Sequence, residues 1–202
     1  MSESASTLGG PIVGTARERI LAAAYELFSR HGTQAVGVNA VTEHAGVAKR
    51  TLYRHFDSKD DLVVEFLRMR EQRWTRDWLQ REVETRATDP KERLLAIFDA
   101  FQEWFQQDDL EGCSFINVLV EVDDRTSPVR QATVRHLTTI REFLARLATE
   151  AGIEEPDAFA RRWHILMKGS IVSALEGDRH AARRAQEVGR VLLERERAGL
   201  LE

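Results

Sequence analysis

The stretch that decides the fold is Lys49-Arg50-Thr51-Leu52-Tyr53-Arg54-His55-Phe56. On a helical wheel Leu52 and Phe56 stand four residues apart and share one face. Arg50 and Arg54 share another, nearly opposite, with Thr51 and Tyr53 flanking them and Lys49 projecting from the helix start. The inner face is apolar. The outer face carries guanidinium groups suited to guanine edges or phosphates, and a phenol and a hydroxyl suited to phosphates or thymine methyls. A solvated basic face, common on any short helix, is the alternative reading of these residues.

The flanks predict helices throughout. A first helix runs from about Thr15 to Arg30, its stripe made by Ile20, Ala24, Leu27 and Phe28, with Gly32 as its stop. A second, from about Val38 to Ala45, is expected to bury Val38, Val41 and Ala45. A tight turn at Gly46-Val47 leads into the quoted helix. Two short helices joined at a glycine make the helix-turn-helix pattern. Ser58 caps a long fourth helix that reaches about Arg86, with Asp61 as its box partner. Asp89-Pro90 opens a fifth, with Glu92 closing its box, and Ser127-Pro128 opens a seventh after a short one carrying Phe115 and Val118. Pro156 starts an eighth, and Asp178 caps the last. Ala, Leu, Glu and Arg dominate from Thr15 onward, and no stretch alternates in the manner of a strand. The expectation is an all-α chain of nine helices. Residues 1–14 form a flexible arm, 15–61 a DNA-binding domain and 62–202 a larger helical domain for ligand binding and dimerisation. The boundary lies inside the long fourth helix.

Composition narrows the class. Of 202 residues 43% are hydrophobic, enough for a packed core. The net charge of −4 does not advertise nucleic-acid binding, and residues 15–61 carry seven basic against six acidic side chains, so placement must carry the argument. The one cysteine, Cys113, excludes an internal disulfide and fits a reducing cytosol. The first residues lack the pattern of a secretory signal, and apolar runs such as Val118–Val120 are too short to span a bilayer, so a cytoplasmic protein with no membrane partner is expected. His31, His44, His55, His136, His164 and His180 lack zinc-like spacing, no glycine-rich phosphate loop is present, and Cys113 has no histidine near it in sequence. Catalysis, a metal site and a cofactor are therefore not expected.

Residues 15–61 resemble the DNA-binding domain of TetR-family regulators. Ile20-Leu21, Ala23-Ala24, Leu27-Phe28, Gly32, Ala45-Gly46-Val47, Thr51-Leu52-Tyr53, His55-Phe56, Ser58-Lys59 and Leu62 carry the resemblance, which covers about a quarter of the chain. It implies that Lys49, Arg50, Thr51, Tyr53, Arg54, His55 and Lys59 lie at or near double-stranded DNA. Base reading falls mainly to Arg50 and Tyr53, with Lys49 or Arg54, and phosphate contacts to Thr51, His55 and Lys59. Two positions depart from the pattern. Gly37 stands where Ser or Thr often caps the second helix, and Thr42 stands where alanine is common, its hydroxyl free to seek a phosphate or a backbone carbonyl.

The resemblance also implies a second domain that binds a small molecule and dimerises. Gly112-Cys113-Ser114-Phe115-Ile116-Asn117 with Glu121 is similar to one subgroup of the family. Trp74, Trp78, Phe101, Trp104, Phe105, Phe115, Phe143 and Trp163 are either ordinary core or the walls of an apolar effector site whose polar groups are Cys113, Asn117 and Glu121. A homodimer reading a palindromic operator is expected, because one short helix reads few base pairs. Met167, Ile171, Ala174 and Leu175, then Val188, Val191 and Leu192, offer apolar faces for it, with packing inside the chain as the alternative. A repressor released by its effector is the leading expectation. An activator or metabolic sensor, or a ligand-binding or protein-partner module with a vestigial helix-turn-helix, stands beside it.

Overall fold

The computed structural model describes residues 14–108 and 110–197. The arm expected over residues 1–14 therefore lies, but for Gly14, outside the described residues. Helices follow in the order α1 (Ala16–His31), α2 (Val38–His44), α3 (Lys49–His55), α4 (Lys59–Arg70), a π-helical segment (Glu71–Gln80), α5 (Arg81–Arg86), α6 (Pro90–Trp104), α7 (Ser114–Glu121), α8 (Pro128–Glu150), α9 (Pro156–Leu175) and α10 (Ala181–Arg197). With Lys59–Arg86 taken as one unbroken run, the described residues hold nine helices and no strand, an all-α fold. The chain divides into two compact units, up to Phe66 and from Leu67, with the division inside α4.

In the first unit, Thr15 caps α1: its side chain accepts from Glu18 N, and Thr15 N donates in turn to Glu18 Oε2 at 2.8 Å. Ile20, Ala24 and Phe28 face inward with Val41, Ala45, Leu52, Phe56, Leu62 and Phe66, while Leu27 and Val38 are only half-buried. The Phe66 ring meets Phe28 and Tyr25 edge-on, with centroids 5.5 and 5.7 Å away. Gly46, at φ +62°, makes the turn between α2 and α3, its N–H and that of Val47 donating to Glu43 and Thr42 carbonyls.

In the second unit, α8 packs on α9, α6 and α7, and α10 packs on α9 and α6. Asp89 caps α6 by accepting from Lys91 N and Glu92 N, whereas Ser127 makes no side-chain cap at α8 and the Pro128 start suffices. The long fourth helix departs from the expectation in its middle, where ten residues are π-helical. Trp74 and Trp78, both on that segment, are spaced four apart, a spacing compatible with either helix type, so the pattern gives no warning. Their rings meet those of Phe101 and Trp104 on α6, with centroids 5.4 to 6.5 Å apart.

Two buried histidines sit in this unit. Burial pushes His136 down to about 4 and His164 down to about 3, Lys168 and Arg141 adding to the second shift. Below the ordinary histidine range the unfolded chain takes up protons that these two folded residues resist. Their contribution is thus intact above about pH 6.5 and declines as pH falls, by at most about 1.4 kcal/mol per pH unit per histidine. Melting followed by circular dichroism from pH 7.5 to 5 should show this acid slope, and His164→Gln should flatten it. An unchanged slope in the variant contradicts the assignment.

Candidate nucleic-acid interface

Helix α3 is seven residues long, about 10 Å, a length that fits a major groove about 12 Å wide. Leu52 is fully buried and Phe56, its C-terminal neighbour, is 4% exposed. With those two inside, Lys49, Arg50, Tyr53, Arg54 and His55 are exposed, Tyr53 at 44%, while Thr51 and Lys59 are half-buried. The outer face is therefore two guanidiniums, an ammonium, a phenol and an imidazole on little more than two turns. Lys59 begins α4, where Ser58 Oγ accepts from Asp61 N at 3.0 Å. Asp60 and Asp61 occupy that first turn, so attraction of a phosphate there rests on the Lys59 ammonium more than on the helix dipole.

Thr42 stands apart from this group. It is buried, and its hydroxyl donates to the Asn39 carbonyl at 2.9 Å. Of the two partners its hydroxyl was expected to seek, the backbone carbonyl has it, because the α2 backbone is within reach of a side chain turned inward.

Supports that local spacing could not show come from α1. Arg19 Nη1 donates to the Gly46 carbonyl at 3.5 Å, across the turn that sets α3. Glu26 Oε2 lies 2.9 Å from His44 Nε2, tying α2 to α1. Arg17 lies over the Phe56 ring, 5.3 Å from its centroid, and pairs with Glu65 at 3.0 Å. The partners are 18 to 48 residues away, so no sequence window holds both members.

The effector candidates fall into separate groups in the second unit. Trp74, Trp78, Phe101, Trp104 and Phe105 form one aromatic cluster, the three tryptophans half-buried at its edge. Phe115 is buried and stacks on His136, with centroids 3.4 Å apart. Trp163 is fully buried against Phe98 and Phe159, and Phe143 lies under Arg146. Cys113 is buried, which pushes its thiol up, and Asn117 and Glu121 are half-buried. Three open grooves, of about 410, 610 and 470 Å³, are lined by none of the eleven candidates.

Of the expected dimer face, Met167, Ile171 and Ala174 turn into the chain's own core. Leu175, Val188 and Val191 are exposed at 49, 49 and 53%, and Leu192 is half-buried. Ile165 and Val172, seven apart on α9, are exposed as well, at 64 and 43%. Both stripes of α9 are apolar in sequence, so only the packing separates the inner from the outer one.

The fold and the basic outer face of α3 define a helix-turn-helix transcription regulator. Residues 20–66 match the model of bacterial regulatory proteins of the tetR family, and residues 90–188 that of the tetracyclin repressor-like C-terminal domain. The chain belongs to the TetR family of DNA-binding transcription regulators, which are not enzymes. It is 27% identical over 168 residues to the transcriptional activator FasR of Mycolicibacterium smegmatis, covering 81% of this chain and 71% of that one. It is 33% identical over 91 residues to the transcriptional repressor KstR2 of Mycobacterium tuberculosis, covering 44 and 43%. A TetR-family regulator from Streptomyces coelicolor has the same fold, with a TM-score of 0.78 at 23% identity over 89% of this chain and 94% of that one. No helix among the described residues is long and apolar enough to cross a membrane.

If Arg50 reads a guanine edge, Arg50→Ala should cost about 1–3 kcal/mol on the preferred duplex and blur its preference over scrambled DNA. Lys59→Ala should weaken binding to every sequence alike and lower the slope of log K against log salt by about 1. Fluorescence anisotropy with labelled duplexes from 50 to 300 mM salt measures both. Unchanged selectivity in Arg50→Ala removes the base-reading role.

Proposed function

We propose that this regulator is a repressor that binds a palindromic operator as a homodimer and leaves it when an apolar or aromatic small molecule binds the second unit. The observation that carries the DNA half is the exposure of Arg50, Tyr53 and Arg54 over a buried Leu52 and Phe56. Arg50, Tyr53 and Lys49 or Arg54 are assigned to bases, and Thr51, His55 and Lys59 to phosphates. In the dimer the two copies of α3 enter successive major grooves, about 34–36 Å apart. The exposed residues Ile165, Val172, Leu175, Val188 and Val191 support α9 and α10 as the face that meets the second copy.

The aromatic cluster around Trp74 and Trp104 supports the effector half, because half-buried indoles offer apolar area to a flat ligand. Binding there acts through α4, whose residues belong to both units. Each tenfold loss of DNA affinity requires about 1.4 kcal/mol of preference for the DNA-free state. The name of the relative with the longer match, an activator, favours a second reading in which the effector raises transcription. A promoter fusion assayed with and without the regulator separates the two, since deletion raises output for a repressor and lowers it for an activator.

Light scattering of the purified chain should give twice 23.1 kDa, and Val188→Asp with Val191→Asp should shift it toward the monomer and abolish operator binding in a gel shift. A monomer in the unsubstituted protein, at concentrations where it binds the operator, contradicts the dimer.

A further inference from the structure

The run from Arg125 to Arg141 holds four arginines and no acidic residue, in a chain of net charge −4. On α8, Arg130 and Val134 stand four apart, as do Gln131 and Arg135, so these residues make two adjacent rows of one face. Val129, Thr133, His136 and Leu137 are buried on the other face. The outward rows, with Arg125 in the turn before α8, line an open groove of about 470 Å³, a volume that suits a small ligand. No carboxylate lines it.

The central guanidinium is held in place. Arg130, half-buried, donates from Nη1 to the carbonyls of Leu119 and Val122 at the end of α7. Those two bonds use both Nη1 hydrogens and fix the plane of the group. Its Nε and Nη2 have no acceptor among the described residues. A planar edge of that kind matches the paired oxygens of a carboxylate or a phosphate. Arg125 and Arg135 are exposed and form no ion pair among the described residues. The acids nearest in sequence do not neutralise the groove. Asp124 accepts from Thr126 N at 2.8 Å and from Thr126 Oγ1 at 2.7 Å, and the exposed Asp123 is outside the lining.

The lining is also apolar in part. Val134 is 45% exposed, and the arginine heads ride on hydrocarbon stems. A cation in this groove meets three like charges. A neutral alcohol accepts a hydrogen bond but brings no charge to the guanidiniums. A bare inorganic anion leaves Val134 and the stems uncovered. An anion on an apolar chain satisfies both halves of the surface.

We infer that this groove is a binding site for an amphiphilic oxyanion, a carboxylate or phosphate monoester on a short apolar chain. Arg130 is the fixed anchor, and Arg125 and Arg135 close on the charge from either side. The site is distinct from the aromatic cluster and does not depend on the effector reading above.

Isothermal titration calorimetry of the purified full-length protein at pH 7.5 in 50 mM NaCl tests it. The probes are octanoate, octyl phosphate, 1-octanol, octylamine and inorganic phosphate, each below the concentration at which it aggregates. At least one alkyl anion should bind about tenfold more tightly than the alcohol and the amine, and the tighter of the two names the head group. Raising NaCl to 300 mM should weaken that anion several-fold. Arg125→Gln with Arg135→Gln, at two exposed positions, should lower anion affinity about tenfold and leave the melting temperature unchanged. Alcohol or amine binding as tightly as both anions, no binding by either anion, or anion affinity that survives the double substitution overturns the site. Inorganic phosphate binding as tightly as the alkyl anions means an adventitious ion only, and overturns it as well.

Discussion

Helix α3 is too short to hold its shape in water by itself. What holds it is the insertion of Leu52 and Phe56 into the core that α1, α2 and the start of α4 complete. Burying two such side chains contributes about 3–6 kcal/mol, far more than helix propensity over seven residues. The same insertion fixes the helix's rotation. Once residues 52 and 56 face in, residues 50, 53 and 54 face out, and a chain with net charge −4 presents a basic surface at one place. Arg19 on Gly46 and Glu26 on His44 then hold the turn and α2 against α1, so that the angle at which α3 leaves the turn is braced from two sides.

Much of this was legible in the residues. Helix starts followed from Ser58, Asp89 and the prolines at 90, 128 and 156, whose effects are local and need no tertiary knowledge. The outer face of α3 followed from a wheel, because a seven-residue helix with two apolar residues four apart has one inner face. The limits were equally physical. The π-helical segment leaves no mark in the spacing of Trp74 and Trp78, which suits either helix type. Thr42 could have faced a phosphate or a carbonyl, and only its burial decides. On α9 the apolar residues cover most of the circumference, so packing against α8 and α10 was needed to show that Met167 and Ile171 are inside while Ile165 and Val172 are outside.

Buried polar atoms without a hydrogen-bond partner occur in both units. In the first, Arg19 Nε is such an atom, while Arg17 has Glu65 and His44 has Glu26. In the second, atoms of Gln102, His136, Arg162, Trp163 and His164 are buried in the same way. A buried polar group without a partner is costly unless something else meets it.

The rotation of α3 is tested most directly by hydroxyl-radical footprinting of the protein, free and bound to an operator duplex. The chain has two tyrosines, and the half-buried Tyr25 is an internal control for Tyr53 on the outer face. The account predicts that DNA slows oxidation of Tyr53 and His55 and leaves Tyr25 unchanged. Equal oxidation of Tyr53 in the free and bound protein would contradict it.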